Sequence, residues 1–117
     1  MPKLIKHPTA IEVPGGKEIL EFVGLVNSAD SNISVAKMVA PANWSEPFQT
    51  PEFDEVTLVL RGKVQVEYEN QITIVQCGEA IVTKAGERVR YSTLDEETEY
   101  VAICMPAFSS QLVNREE

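Results

Sequence analysis

The chain has 117 residues, with 18 acidic side chains against 10 basic ones, a net charge of −8 and 44% hydrophobic residues. That length suits one domain around one core. An isoelectric point near 4.6 repels polyanions, so no nucleic-acid partner is expected. No apolar run approaches the roughly 20 residues that cross a bilayer. The opening MPKLIKHPTAIEVPGG offers only Leu4 and Ile5 where a secretory leader needs an apolar stretch of about 7–15 residues. A cytoplasmic location without membrane contact is therefore expected.

No segment carries helical periodicity; short β-rich runs alternate with turn residues instead. After an N-terminal arm over residues 1–17, strands are predicted at Ile19–Val23 and Ile33–Val39, separated by the polar stretch Asn27–Asn32. Past Pro41–Pro47 they follow at Val56–Arg61, Val64–Glu69, Ile72–Gln76, Ala80–Thr83, Arg88–Thr93 and Tyr100–Met105. Gly62, Glu69-Asn70, Gly78 and Lys84-Ala85-Gly86 supply the turns between them. The tail, residues 107–117, is expected to add a helical turn or to lie over an edge. Eight short strands in a single domain fit an all-β double-sheet jelly roll, its barrel core over about residues 18–106.

Alternation within the strands separates wet from dry faces. Val64, Val66 and Tyr68 alternate with Lys63, Gln65 and Glu67, which gives that strand one solvated face. Val56–Arg61 and Tyr100–Met105 are largely apolar on both faces. A small sandwich buries one face in its own core, so the second needs a cover. A second subunit supplies it most simply, making a homodimer the expected partner state; the alternative is that the N-terminal segment folds back over it. Cys77 and Cys104, the only cysteines, read as small buried hydrophobes in a reducing compartment.

Two segments carry more than strand pattern. PEFDEVTLVLRG, Pro51–Gly62, is followed fifteen residues later by GEAIVTKAG, Gly78–Gly86. These resemble the two halves of a cupin barrel, whose first motif is G(x)5HxH(x)3–4E(x)6G and whose second is G(x)5PxGxxH(x)3N. Glu55-(x)6-Gly62 matches the end of the first, and Gly78-(x)5-Lys84-Ala85-Gly86 the start of the second, with Lys84 where proline is usual. The resemblance covers about half the chain, Trp44 to Met105, and implies a double-stranded β-helix of two antiparallel sheets, as in small single-domain bacterial cupins.

The resemblance also exposes what is missing. Aligned on Pro51 and Glu55, the paired histidine positions fall on Phe48 and Thr50. Aligned on Gly86, the third falls on Val89 and the motif's asparagine on Thr93. The lone histidine, His7, lies outside both motifs and reads as a solvated arm residue. Three imidazoles and a carboxylate would hold a transition metal with open positions for oxygen or substrate. A phenyl ring and an isopropyl group donate no lone pair. Glu55, Thr50 and Gln49 would make only a hard, all-oxygen site, and magnesium or calcium prefers more carboxylates. No metal and no other cofactor is expected.

Glu55 is then the residue to explain. By alternation it points into the barrel, where an unpaired carboxylate costs several kcal/mol or takes up a proton. Lys37, on the strand face of Ile33, Val35 and Val39, is a candidate ion-pair partner. Arg61 shares the parity of Glu55 near the rim. Tyr91 should face inward and offer a hydroxyl. Trp44 and Phe48 flank the mouth, to stack on a ligand or to plug the rim. Arg88 and Arg90 should face outward, toward the acidic run Asp95-Glu96-Glu97. The expected function is the binding of a small polar metabolite in a cavity around Glu55, with Gln49, Thr50, Lys37, Arg61, Phe48 and Trp44 as candidate ligand contacts. The alternative is a metal-independent enzyme in which Glu55, with Tyr91, is the general acid or base.

Overall fold

A computed structural model describes residues 1–116. Nine strands run in the order β1 (Thr9–Ile11), β2 (Glu18–Val23), β3 (Ser34–Ala40), β4 (Asp54–Arg61), β5 (Lys63–Tyr68), β6 (Gln71–Gln76), β7 (Ala80–Thr83), β8 (Arg90–Ser92) and β9 (Thr98–Met105). They form a six-stranded sheet of order β1-β2-β3-β9-β4-β7 and a three-stranded sheet of order β6-β5-β8. All pairings are antiparallel. The architecture is the expected jelly roll of two antiparallel sheets. Among the described residues, no helix is long and apolar enough to cross a membrane.

Local chemistry accounts for the turns. Glu69 and Asn70 both take positive φ (48° and 60°), the requirement of the two-residue turn whose twist suits a tight hairpin, and Tyr68 pairs with Gln71 across it. Gly62 joins β4 to β5 at φ 79°. A Cβ there would lie 2.5 Å from Thr98 Oγ1 and 2.8 Å from the Glu97 carbonyl oxygen, so only glycine fits.

The core gathers between the sheets. Val59 of β4, Val64 and Val66 of β5, Val75 of β6, Val89, and Tyr100 and Ala102 of β9 form one buried cluster with Ala40 and Trp44. Lys63, Gln65 and Glu67 occupy the wetter face of β5, as their alternation implies. A second cluster of Phe53, Cys104 and Val113 packs with Phe108 and Leu112. It is built by the tail, which adds no helix and returns along residues 48–53. The Glu52 amide donates to the Leu112 carbonyl, and the Glu116 amide to that of Phe48.

Three expectations change here. Residues 9–11, inside the presumed arm, form β1, which pairs with β2 at the sheet edge. The N-terminal segment therefore extends the sheet and leaves the outer face of β4 and β9 uncovered: Leu58, Leu60, Val82 and Met105 are exposed. Arg88–Thr93 shrinks to Arg90–Ser92, with Val89 held by an isolated bridge to Gln49. Cys104 is buried as expected but Cys77 is exposed, because it follows β6 at the turn before Gly78, where its thiol donates to the Leu60 carbonyl.

Candidate functional site

The inner face of the six-stranded sheet carries a run of small side chains, Ser34 and Ala36 on β3 and Ala102 and Cys104 on β9. They leave a cavity of about 60 Å³, whose polar wall includes Glu21, Gln49, Glu55 and Tyr91. An outer cleft of about 290 Å³ lies beside it, walled by Pro14, Gly15, Trp44, Ser45 and Pro47. Val13, Lys17, Ile19, Glu46 and Arg115 line both spaces and form the neck between them.

Each polar group has a local reason for its position. Glu55 alternates inward with Thr57 and Val59 along β4, all buried. Gln49 is held by its backbone bridge to Val89 and is only 4% exposed. Its side-chain oxygen is buried without a hydrogen-bond partner. Tyr91, on β8, shares a hydrogen bond with Thr83 at 2.9 Å. Glu21 is tied into the fold, accepting from the Val26 and Asn27 amides at 2.9 and 2.8 Å. Lys17 follows two glycines of positive φ, and its ammonium rests 4.4 Å above the Trp44 ring. It donates to the Tyr100 hydroxyl at 3.0 Å and lies 3.8 Å from Glu46, with only 7% of its side chain exposed.

Burial governs the titration of these groups. It pushes the Glu55 carboxyl up to about 7, helped by the nearby Glu46 carboxylate and opposed by Lys17 and Arg115. It also raises Glu46, with Lys17 opposing, and lowers Lys17, with Glu46 and Glu55 opposing. At 3.8 Å the Lys17–Glu46 pair is too loose to reverse either shift. Tyr91 and Tyr100 are pushed well above the usual phenol range by burial, so both remain neutral hydroxyls. Burial likewise raises the Cys104 thiol and keeps it protonated.

Of the residues singled out from sequence, Gln49, Glu55 and Tyr91 converge on the cavity. Lys37 does not. The face it shares with Val35 and Val39 is the outer one, because Ser34, Ala36 and Met38 point inward. Lys37 pairs there with Glu99 at 3.3 Å and never meets Glu55. Arg61 also turns outward. A register shift between Val59 and Arg61 breaks the parity of β4, and Arg61 binds Glu97 at 2.9 Å and Glu99 at 3.6 Å. Phe48 and Thr50 flank Gln49 and face away from the cavity. Phe48 lies beneath the Arg88 and Arg90 guanidiniums, at 3.9 and 4.5 Å. The Thr50 carbonyl accepts from Asn114 at 3.0 Å. Trp44 borders the outer cleft rather than the cavity. Arg88 and Arg90 pair with Glu116 and Glu67 instead of the acidic run.

The histidine alignment shifts accordingly. Counting three residues instead of four before Glu55 places Gln49 at the inward position. Val89 lies in the hydrophobic core with no exposure. The set offered in place of three imidazoles and a carboxylate is thus Gln49, Pro51, Val89 and Glu55, which does not fit a transition metal. Among the described residues, no three His, Cys, Asp or Glu side chains gather to hold a metal ion. His7 is exposed in the N-terminal segment.

Sequence reasoning missed Lys17, Glu21, Glu46 and Arg115. Glu21 was accessible to it, since it alternates with the inward Ile19 on β2. The other three belong to loops or to the tail, where no periodicity signals direction.

No known family's profile matches the chain. The fold is similar to that of an RmlC-like cupin from Shewanella frigidimarina, with a TM-score of 0.77, 10% identity and 94% of each chain covered. It is also similar to the polyketide cyclase RemF from Streptomyces resistomycificus, with a TM-score of 0.76 and 20% identity over 97% of this chain and 85% of that one. At these identities the likeness is one of fold: the chain folds as a barrel similar to those of cupins. In sequence it is 40% identical over 102 residues to the endoribonuclease YbeY of Myxococcus xanthus. That match covers 86% of this chain and 35% of the other, so the chain spans about a third of the relative's length.

Proposed function

We propose that this chain is a metal-independent cupin that binds a small polar metabolite in the cavity around Glu55. One observation carries the reading: Gln49 faces the cavity beside Glu55 with a buried side-chain oxygen that no donor reaches. Among the described residues, no lysine or arginine stands within ion-pair distance of Glu55. The Gln49 oxygen has no donor. Burying such an oxygen without a partner costs roughly 1–3 kcal/mol, a cost that a ligand or water taking the vacant bond relieves. A thermal-shift screen of small acids, sugars and alcohols tests the reading. A binder present at about 100 times its Kd stabilises by about 2.7 kcal/mol, and Glu55→Gln should abolish that shift. A hit whose shift survives Glu55→Gln would place the ligand elsewhere.

The second reading, a metal-independent enzyme, is favoured by the titration of Glu55 near 7. A carboxyl poised there transfers protons in either direction at neutral pH. The cyclase among its structural neighbours is consistent with catalysis on this fold, although fold alone assigns no reaction. Turnover with a pH step near 7 that Glu55→Gln removes would favour this reading over binding alone.

The ribonuclease name belongs to a protein about two and a half times as long. A net charge of −8 and a single exposed histidine argue that this third does not itself cleave RNA. The free thiols Cys77 and Cys104 suit a cytoplasmic location. The exposed apolar face of β4, β7 and β9 suits a homodimer.

A further inference from the structure

The polar groups of the two spaces are arranged with opposite character. At the neck stand two cations. Lys17 has one carboxylate near it, Glu46 at 3.8 Å. Arg115 has none within ion-pair distance among the described residues. The neck thus holds a surplus of positive charge on a chain whose net charge is −8. Such a local reversal of sign, between low-dielectric walls, concentrates anions.

The inner cavity presents acceptors. The Gln49 side-chain oxygen is unpartnered and its residue 4% exposed. Glu55 adds a carboxyl with no lysine or arginine within ion-pair distance among the described residues. Tyr91 is occupied by Thr83, and Glu21 by two backbone amides. A group that pairs with the Gln49 oxygen must therefore bring a donor, and a second carboxylate there would crowd Glu55. A cationic amine would satisfy the cavity but would be repelled at the neck. Between these ends the walls include the carbon side chains of Val13 and Ile19.

We propose that the ligand is a small hydroxycarboxylate, with its carboxylate at the neck between Lys17 and Arg115 and its hydroxyl in the cavity against Gln49 and Glu55. This names the ligand class of the cavity and rests on the reading of that cavity as a binding site. An ionised acid at the neck gains charge-assisted hydrogen bonds that a neutral amide does not. The hydroxyl relieves the orphaned acceptor, so a ligand lacking it leaves the Gln49 oxygen unpaired.

Calorimetric titration of the intact protein tests both ends. Lactate and 3-hydroxybutyrate are compared with lactamide and 3-hydroxybutyramide, which lack the charge, and with propionate and butyrate, which lack the hydroxyl. A hydroxy acid should bind about tenfold or more tightly than its amide and its deoxy counterpart. Arg115→Gln should weaken the acid by about tenfold and leave the amide unchanged. That variant should fold, since the Arg115 side chain makes no ion pair with a described residue and its backbone bridge to Gln49 remains. Lys17→Arg, which keeps the charge, should retain binding where Lys17→Met loses it.

Amides binding as well as acids, deoxy acids binding as well as hydroxy acids, or indifference to Arg115→Gln would each overturn the proposal. If the hydroxy acids fail while neutral sugars or alcohols bind in a manner that Glu55→Gln abolishes, the ligand class is wrong and the cavity reading stands. If no compound of any class binds, both fall.

Discussion

Glu55→Gln should gain stability relative to wild type as the pH rises and lose that gain as the pH falls. The folded protein titrates Glu55 near 7, against 4.5 for an ordinary glutamate. The folded state therefore binds that proton more tightly than the unfolded chain. Its contribution to stability is fully present below about pH 4.5 and is lost as pH rises through about 7. At 1.36 kcal/mol for each tenfold ratio, the whole loss is about 3 kcal/mol. The glutamine cannot ionise and escapes it. Any fixed cost of the amide's altered hydrogen bonding is independent of pH and drops out of the comparison. Urea denaturation of both proteins from about pH 4.5 to about pH 8 should show wild type losing about 3 kcal/mol relative to the variant, on the order of 10 °C in melting temperature. A difference that stays flat with pH would refute the argument. A dependence of the opposite sign, with wild type gaining on the variant as pH rises, would refute it more strongly, since it would mean that Glu55 is ionised and paired in the fold.

Gly62→Ala should cost about 2–3 kcal/mol, because its Cβ would strike Thr98 and the Glu97 carbonyl. Gly86→Ala, at φ 90° with nothing within 4 Å, should cost only about 1 kcal/mol, and equal losses in urea titrations would count against the difference. Sedimentation at micromolar concentration should give a dimer for wild type and a monomer for Leu58→Glu; a monomeric wild type would end the dimer proposal. Cys77 should react with a disulfide reagent in the native state and Cys104 only after unfolding, since the latter is buried with its thiol pushed up by that burial. Equal native-state rates would contradict this placement.

The strand pattern was legible because each of eight runs pairs β-formers with turn residues whose backbone demands are local. Glu69-Asn70 and Gly62 satisfy those demands without help from distant contacts. β1 was not legible. Three residues between Pro8 and Pro14 are too few for alternation to register, and what makes them a strand is the free edge of β2. The exposure of Cys77 was hidden for a related reason: it is the residue directly after β6, where alternation no longer predicts direction.

The site was legible only along its strands. Glu55 and Tyr91 follow alternation into the cavity, but alternation says which residues share a face and not which face is inside. On β3, apolar Val35 and Val39 accompany Lys37, while the cavity face carries Ser34, Ala36 and Met38. The small Ser34 and Ala36 face inward where the cavity needs room, a requirement that exists only once β3 lies beside β9 and across from Glu55. Arg61 shows the second limit: one bulge reverses the parity of everything beyond it. Lys17 and Arg115 show the third. They lie far apart in sequence and reach the same neck because the loop before β2 returns over Trp44 and the tail bridges Gln49. The motif that carries the fold thus retains a single acid, while the charged groups that raise or lower its proton affinity, Glu46 on one side and Lys17 and Arg115 on the other, come from outside the motif. The chemistry of Glu55 is for that reason a property of the assembled barrel, set by the balance of burial and Glu46 against Lys17 and Arg115.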